Sequence, residues 1–238
     1  MTTEPFRFRQ FEVFHDQCAM KVGTDAVLLG AWANVSGANA ILDIGTGSGV
    51  VALMTAQRNQ KALIDAVEID EKSWLQCEEN FKNSPWPERL TAFHSDIKNF
   101  QTKIKYNVVI SNPPFFSDSL LSGDEVKDKA RHSVSLTLKE LAEVSAALLN
   151  ENGRMCFILP ADQETEIKNL AAVYGFYAER ICSLRYNPDK PVKRVLIEFV
   201  RDAGKAVEQI LCIRNSKNEF TAEFAALTEN FYPCLLRK

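Results

Sequence analysis

Short apolar runs and amphipathic stretches alternate along most of this chain. AILDI at 40–44 reads as a buried strand, GTGSG at 45–49 as a turn, and VVALMTAQR at 50–58 as a helix. LIDAVEID (63–70) is a second strand. In EKSWLQCEENFKN (71–83), Trp74, Cys77 and Phe81 fall three to four residues apart, the spacing of one helical face. LTAFHSD (90–96) and YNVVIS (106–111) are the third and fourth strands. TLKELAEVSAALLNENG (137–153) predicts a helix stopped by Gly153, RMCFILP (154–160) a fifth strand, and ETEIKNLAAVYG (164–175) a helix stopped by Gly175. Such alternation implies a parallel sheet with right-handed crossovers. The next two runs differ. FYAERICSLRYN (176–187) and VKRVLIEFVR (192–201) are separated only by PDKP, so they should pair antiparallel. Residues 203–238 are less regular, with a strand in EQILCIR and a helix. Residues 1–36 form an extension that ends in a helix over VGTDAVLLGAWA.

Composition adds bounds. The 238 residues, 46% hydrophobic and 25% charged, suit one large α/β domain with a sizeable core. The longest apolar stretch, 26–33, is far shorter than the roughly 18 residues a membrane span needs. MTTEPFRFRQ lacks the apolar core of a signal peptide, so a cytoplasmic protein is expected. The six cysteines include no CxxC pair and the three histidines are far apart, so no metal site is expected. With a net charge of −3, nucleic acid would have to bind through a local basic patch.

The candidate chemistry sits at strand ends. Gly45, Gly47 and Gly49 follow the first strand and open a helix, where open α/β sheets bind ligands. The spacing is GxGxG, with Val50 in the sixth position and no Walker lysine; a tight strand-to-helix turn is the plainer reading of it. Asp43, just ahead of the loop, joins these candidates. The second strand ends AVEID, where Glu68 (with Asp70 as the alternative) is placed to accept from a ribose diol; the competing reading is a solvated acidic turn. The third strand ends HSDI, where Asp96 suits an adenine amino group and Ile97 adds apolar surface, against a plain capping role for Asp96.

The fourth strand stops abruptly in NVVISNPPFF. Proline cannot donate to a sheet ladder, so the strand ends at the residues that bear the chemistry. An exocyclic amine is a poor nucleophile because its lone pair is delocalised. Two acceptors aimed at its N–H bonds free that lone pair. Asn112 supplies a side-chain carbonyl, Pro113 a main-chain carbonyl stiffened by Pro114, and Phe115 a ring on which a base can stack. Glycine loop, acidic second strand, third-strand Asp and NPPF together resemble the class I S-adenosylmethionine-dependent methyltransferases. NPPF is similar to the [NDS]PP[YFW] signature of those that methylate exocyclic or amide nitrogens. The resemblance implies a Rossmann-like fold, a mostly parallel seven-stranded sheet with an antiparallel final hairpin and helices on both faces.

MKVGTDAVLLGAW, LDIGTGSGVVALMTAQR, AVEID, SPWPERL, SNPPFF and KARH together resemble the bacterial valine-tRNA adenine-N6-methyltransferase family. That resemblance, strongest over residues 6–200, implies an adenine acceptor beside the anticodon of a valine tRNA. It also implies that residues 1–36 cover the cofactor site of a methyltransferase domain at 37–238, the whole forming one structural unit. Lys21 and Thr24 are thereby carried over as cofactor contacts; the alternative is a helix start capped by Thr24 or Asp25. Arg131 and His132, after the NPPF loop, are RNA candidates against the reading of a solvated charged loop. So are Arg185, Lys190, Lys193 and Arg194 in a basic cluster, and Arg7 and Arg9 in FRFRQF. The rivals are a guanine-N2 rRNA methyltransferase, a glutamine-N5 protein methyltransferase and, more distantly, a non-catalytic RNA-binding module.

Overall fold

The computed structural model describes residues 4–113 and 136–232. In chain order its strands are β1 (Phe6–Arg7), β2 (Glu12–Val13), β3 (Ala40–Ile44), β4 (Leu63–Glu68), β5 (Leu90–His94), β6 (Tyr106–Ser111), β7 (Leu149–Pro160), β8 (Tyr177–Arg185), β9 (Arg194–Val200) and β10 (Val207–Cys212). The helices are α1 (Thr24–Trp32), α2 (Val50–Arg58), α3 (Glu71–Lys82), α4 (Leu138–Leu148), α5 (Glu164–Val173) and α6 (Ala222–Thr228). The main sheet has the order β10-β8-β9-β7-β6-β3-β4-β5. β9 runs antiparallel to both of its neighbours, and the other pairings are parallel. The antiparallel end expected from 176–201 is therefore present.

Successive strand residues serve opposite faces. In β3, Ile41 packs in the core beneath α1 and α2, with Val27, Leu28 and Leu53, whereas Leu42 packs in the core beneath α4 and α5, with Leu141 and Ile167. Phe8, Phe11 and Val13 of the amino-terminal segment join the first of these cores. In α3, Cys77 and Phe81 are buried as their spacing predicts.

Three features depart from expectation. The sheet has eight strands rather than seven, because β10 adds in parallel to the β8 edge. Only Leu211 of β10 is buried, so no alternation marked it as a sheet member. Second, Gly153 does not end a helix. α4 ends at Leu148, and Gly153 lies inside β7. There the register jumps from Tyr106↔Leu149 to Val108↔Arg154, so 150–153 bulge opposite Asn107. A Cβ on Gly153 would come within 2.7 Å of Leu149 Cδ2 and 3.1 Å of the Asn150 carbonyl oxygen, so the bulge favours glycine. Third, the cap of α1 is Gly23, with no side-chain hydrogen bond; neither Thr24 nor Asp25 caps it.

Candidate active site

A pocket of about 210 Å³ opens at the carboxyl ends of β3, β4, β5 and β6. Its apolar wall is Ile44, Val67, Ile97 and Leu136, and its polar groups include Glu68, Asp70, Asp96, Lys98 and Ser111. The strands end here because each runs into a residue that ties the rim. Ser111 Oγ donates to the Ile44 carbonyl at 2.8 Å, locking the end of β6 to the end of β3. Asp70 caps α3 by accepting from Ser73 N and Oγ, both at 2.9 Å. Asp96 caps the short turn at 97–99 by accepting from Lys98 N–H at 2.9 Å, and it also lines the pocket. The capping reading of Asp96 is thus present, and its place on the pocket wall leaves it within reach of a ligand.

Glu68 is the brace of the site. It is 9% exposed. Its Oε2 accepts from Gly47 N–H at 2.8 Å, and its Oε1 accepts from Ile69 and Asp70 N–H at 2.9 Å. One carboxylate thus fixes the glycine loop and the turn into α3 together. Three of its roughly four lone-pair sites are thus used, and one on Oε2 stays available for a ligand.

The three loop glycines divide their work. All have positive φ: 68° at Gly45, 56° at Gly47 and 81° at Gly49. A Cβ at Gly45 or Gly47 would meet nothing within 4 Å, and both line the pocket. A Cβ at Gly49 would lie 2.6 Å from Phe81 and 2.8 Å from the Cys77 sulfur. Gly49, expected at the cofactor, instead lets α2 start hard against α3. Asp43 is likewise beneath the pocket. It is buried and accepts from Thr46 Oγ1 at 2.6 Å. Burial pushes its pKa up to about 7, against the opposing pull of the Thr46 hydroxyl and the Ala52 N–H.

A strap from Phe14 to Met20 lies along α3. Asn80 accepts from Phe14 N–H and donates to Phe14 O, at 2.9 and 2.8 Å. Gln76 accepts from Gln17 N–H at 2.9 Å. This strap delivers Cys18, Ala19 and Met20 to the pocket wall, and burial lifts the Cys18 thiol to about 11, so it stays neutral. Lys21 and Thr24, carried over as cofactor contacts, are exposed and outside that wall. Sequence reasoning missed 18–20. The available signal was Gln76 and Asn80, two buried amides on the stripe that also carries Cys77 and Phe81.

Asn112 follows β6, and Pro113 lines the pocket. The Asn112 Oδ1 is buried and has no hydrogen-bond partner among the described residues. Pro114, Phe115, Arg131 and His132 lie outside the described residues. Among the other RNA candidates, Arg7 pairs with Glu12 at 3.1 Å and Arg9 Nε donates to the Tyr232 carbonyl at 2.8 Å. Arg185, Lys193 and Arg194 share a second pocket with Asp25, and Lys190 is exposed outside it. Among the described residues, no helix is long and apolar enough to cross a membrane.

The model of the methyltransferase small domain family matches residues 18–180. This chain belongs to that family. A tRNA1(Val) (adenine(37)-N6)-methyltransferase of Christiangramia forsetii is 41% identical over 237 residues, covering 98% of this chain and 99% of the relative. One of Bacteroides thetaiotaomicron is 42% identical over 228 residues, covering 95% and 96%. Among solved structures, a predicted O-methyltransferase from Agrobacterium tumefaciens superposes with a TM-score of 0.69 at 17% identity, over 87% of this chain and 96% of that one, which establishes the fold.

Membership of the methyltransferase small domain family implies S-adenosylmethionine as methyl donor. The site suits it. The bare backbone of Gly45 and Gly47 faces open pocket, as close approach of a ligand requires. The carboxylates of Glu68, Asp70 and Asp96 on the wall match a ligand with hydroxyls, an amine and a sulfonium charge.

Proposed function

We propose that this protein transfers a methyl group from S-adenosylmethionine to the exocyclic N6 of an adenine in the anticodon loop of a valine tRNA, the adenine 3′ of the anticodon. The observation that carries the reading is the orphaned acceptor of Asn112. A buried amide oxygen without a partner costs about 1–3 kcal/mol. A substrate N–H that docks against it recovers that cost. When bound, the donor presents an electrophilic methyl on its sulfonium.

The chain's own residues do the rest. Glu68 accepts from the ribose diol through the one Oε2 lone pair its backbone partners leave free, and Asp96 accepts from the adenine amine of the donor while Ile97 covers its ring. The strap at 14–20 closes over that ligand, in keeping with an extension at 1–36 that covers a methyltransferase domain at 37–238. Asn112 Oδ1 and the Pro113 carbonyl accept from the two N–H bonds of the target amine, so its lone pair points at the methyl. Phe115 stacks on the flipped base. No strong base is required, since the methylated amine sheds its proton readily. The catalytic contribution is positioning and electrostatics. The relatives' names support the adenine acceptor and the tRNA, and a tRNA substrate is in keeping with a cytoplasmic protein.

The test is methyl transfer to a valine-tRNA transcript, followed by nucleoside analysis. N6-methyladenosine is expected, with none on a transcript carrying guanine in its place. Equal methylation of the guanine transcript would move the acceptor to N2. Asn112→Ala should spare cofactor affinity and lower turnover about 10²–10³-fold, as when one preorganised polar group is lost from a transition state. Near-normal turnover at saturating tRNA would remove the amide from the mechanism.

A further inference from the structure

A second pocket of about 310 Å³ lies on the same edge of the sheet as the active site. Its walls include Arg185, Lys193, Arg194, Asp25, Leu184 and Ile213. The topology fixes the placement. β8 and β10 run parallel to β6, so the carboxyl ends that carry Arg185 and Cys212 lie on the rim that carries Asn112. β9 is antiparallel, so its amino end brings Arg194 to that rim opposite Pro160, the last residue of β7. From β6 to β9 is two strand spacings, roughly 10 Å.

The pocket is built and rigid. Lys193 N–H donates to Leu184 O at 3.0 Å, Ile213 N–H to Arg185 O at 2.9 Å, and Arg214 N–H to Tyr186 O at 2.8 Å. Its charge is unbalanced. Asp25 is committed to Arg194, whose Nε donates to it at 2.8 Å. Among the described residues, neither Arg185 nor Lys193 has an acidic partner. The Arg185 Nε is buried and makes no hydrogen bond. A buried guanidinium N–H without an acceptor is costly, and an anionic oxygen relieves it. In a chain of net charge −3, this is a local cation site facing the side from which substrate arrives.

We propose that this pocket is a phosphate subsite that grips the RNA backbone beside the methylated nucleotide, with Arg185 and Lys193 as its donors. The inference rests on the reading of RNA as the substrate. A grip two to three strand spacings from Asn112, roughly 10–15 Å, fixes register: it holds the backbone while the target base swings into the active site, and it carries no base specificity.

The test is fluorescence anisotropy of an unmodified valine-tRNA transcript against salt between about 50 and 200 mM, with Arg185→Gln and Lys193→Gln. Each variant should bind about tenfold more weakly, and the slope of log affinity on log salt should fall by about 0.7–0.9 per lost contact. Calorimetric affinity for S-adenosylmethionine should not move. Lys61→Gln, which removes a charge on the opposite edge of the sheet, should leave the slope unchanged. If Arg185→Gln unfolds, Lys193→Gln on the exposed turn decides the matter. Wild-type affinity and slope in Lys193→Gln and in a folded Arg185→Gln would overturn the subsite. Methyl transfer to the same transcript by the wild type is scored in parallel. If the wild type binds the transcript with the expected slope yet never methylates it, the acceptor assignment falls and the phosphate grip stands.

Discussion

Glu68→Gln separates holding from binding in this site. The carboxylate accepts three main-chain hydrogen bonds, from Gly47 on one oxygen and from Ile69 and Asp70 on the other. Glutamine has one acceptor oxygen and one amide nitrogen. The oxygen will turn toward the side with two donors. The amide NH2 then faces the Gly47 N–H, donor against donor, where 2.8 Å separates the atoms in the wild type. Loss of a hydrogen bond to a charged group costs roughly 1.5–3 kcal/mol. That loss is felt with or without ligand, so it appears as stability. At about 2–4 °C per kcal/mol for a chain of this size, the melting temperature should fall by roughly 3–12 °C. If Glu68 also takes the ribose diol, a second charge-assisted contact of similar size is lost on binding. The dissociation constant for S-adenosylmethionine should then rise about 10- to 150-fold. Differential scanning fluorimetry and titration calorimetry read the two effects separately. A lowered melting temperature with unchanged affinity would show that the carboxylate is a brace alone. No change in either would refute the bracing geometry as well.

The remaining predictions use the loop glycines and a buried charge. Gly47→Ala puts a Cβ into open pocket at a left-handed position, at a cost of about 1–2 kcal/mol, so calorimetry should show weakened cofactor binding with a small stability loss. Gly49→Ala adds overpacking against Phe81 and Cys77, for about 2–5 kcal/mol in all, and should mainly lower the melting temperature. The reverse ranking would exchange the roles assigned to the two glycines. Burial pushes the pKa of Glu198 up, but Arg180 at 2.9 Å and Arg154 at 3.0 Å outweigh it and hold it below the ordinary glutamate value. A depressed carboxyl stabilises the fold above its unfolded pKa and loses that contribution as pH falls toward its folded one. Melting temperature should therefore drop on acidification below about pH 4.5 in the wild type and less steeply in Glu198→Gln, which should be destabilised at pH 7 by up to about 3–5 kcal/mol. Parallel curves would show that Glu198 does not carry the acid sensitivity.

From 40 to 111 the fold is legible because each strand is a short, mostly apolar run and each helix keeps its spacing. β10 was harder to place because an edge strand exposed at four of its six residues carries no alternation. Gly153 misled because glycine ends helices and permits bulges with the same letter, and only the closeness of Leu149 tells which. The groups that line or adjoin the pocket were legible in residue types: glycines after β3, acids at the ends of β4 and β5, an amide after β6. The division of labour was not. Gly47 and Gly49 look alike in GTGSG, yet one opens on the pocket and the other is held against α3. Asp43 and Glu68 are both acids near the loop, yet one is sealed below it and the other spans loop and pocket. What separates each pair is a neighbour supplied by tertiary contact: Phe81 and Cys77 on α3, or the Gly47 N–H at a separation of 21 residues. The strap is the extreme case. Its place over the pocket is set by Asn80, 66 residues away. Local pattern predicts which groups can bind, and long-range packing decides which of them are left free to do so.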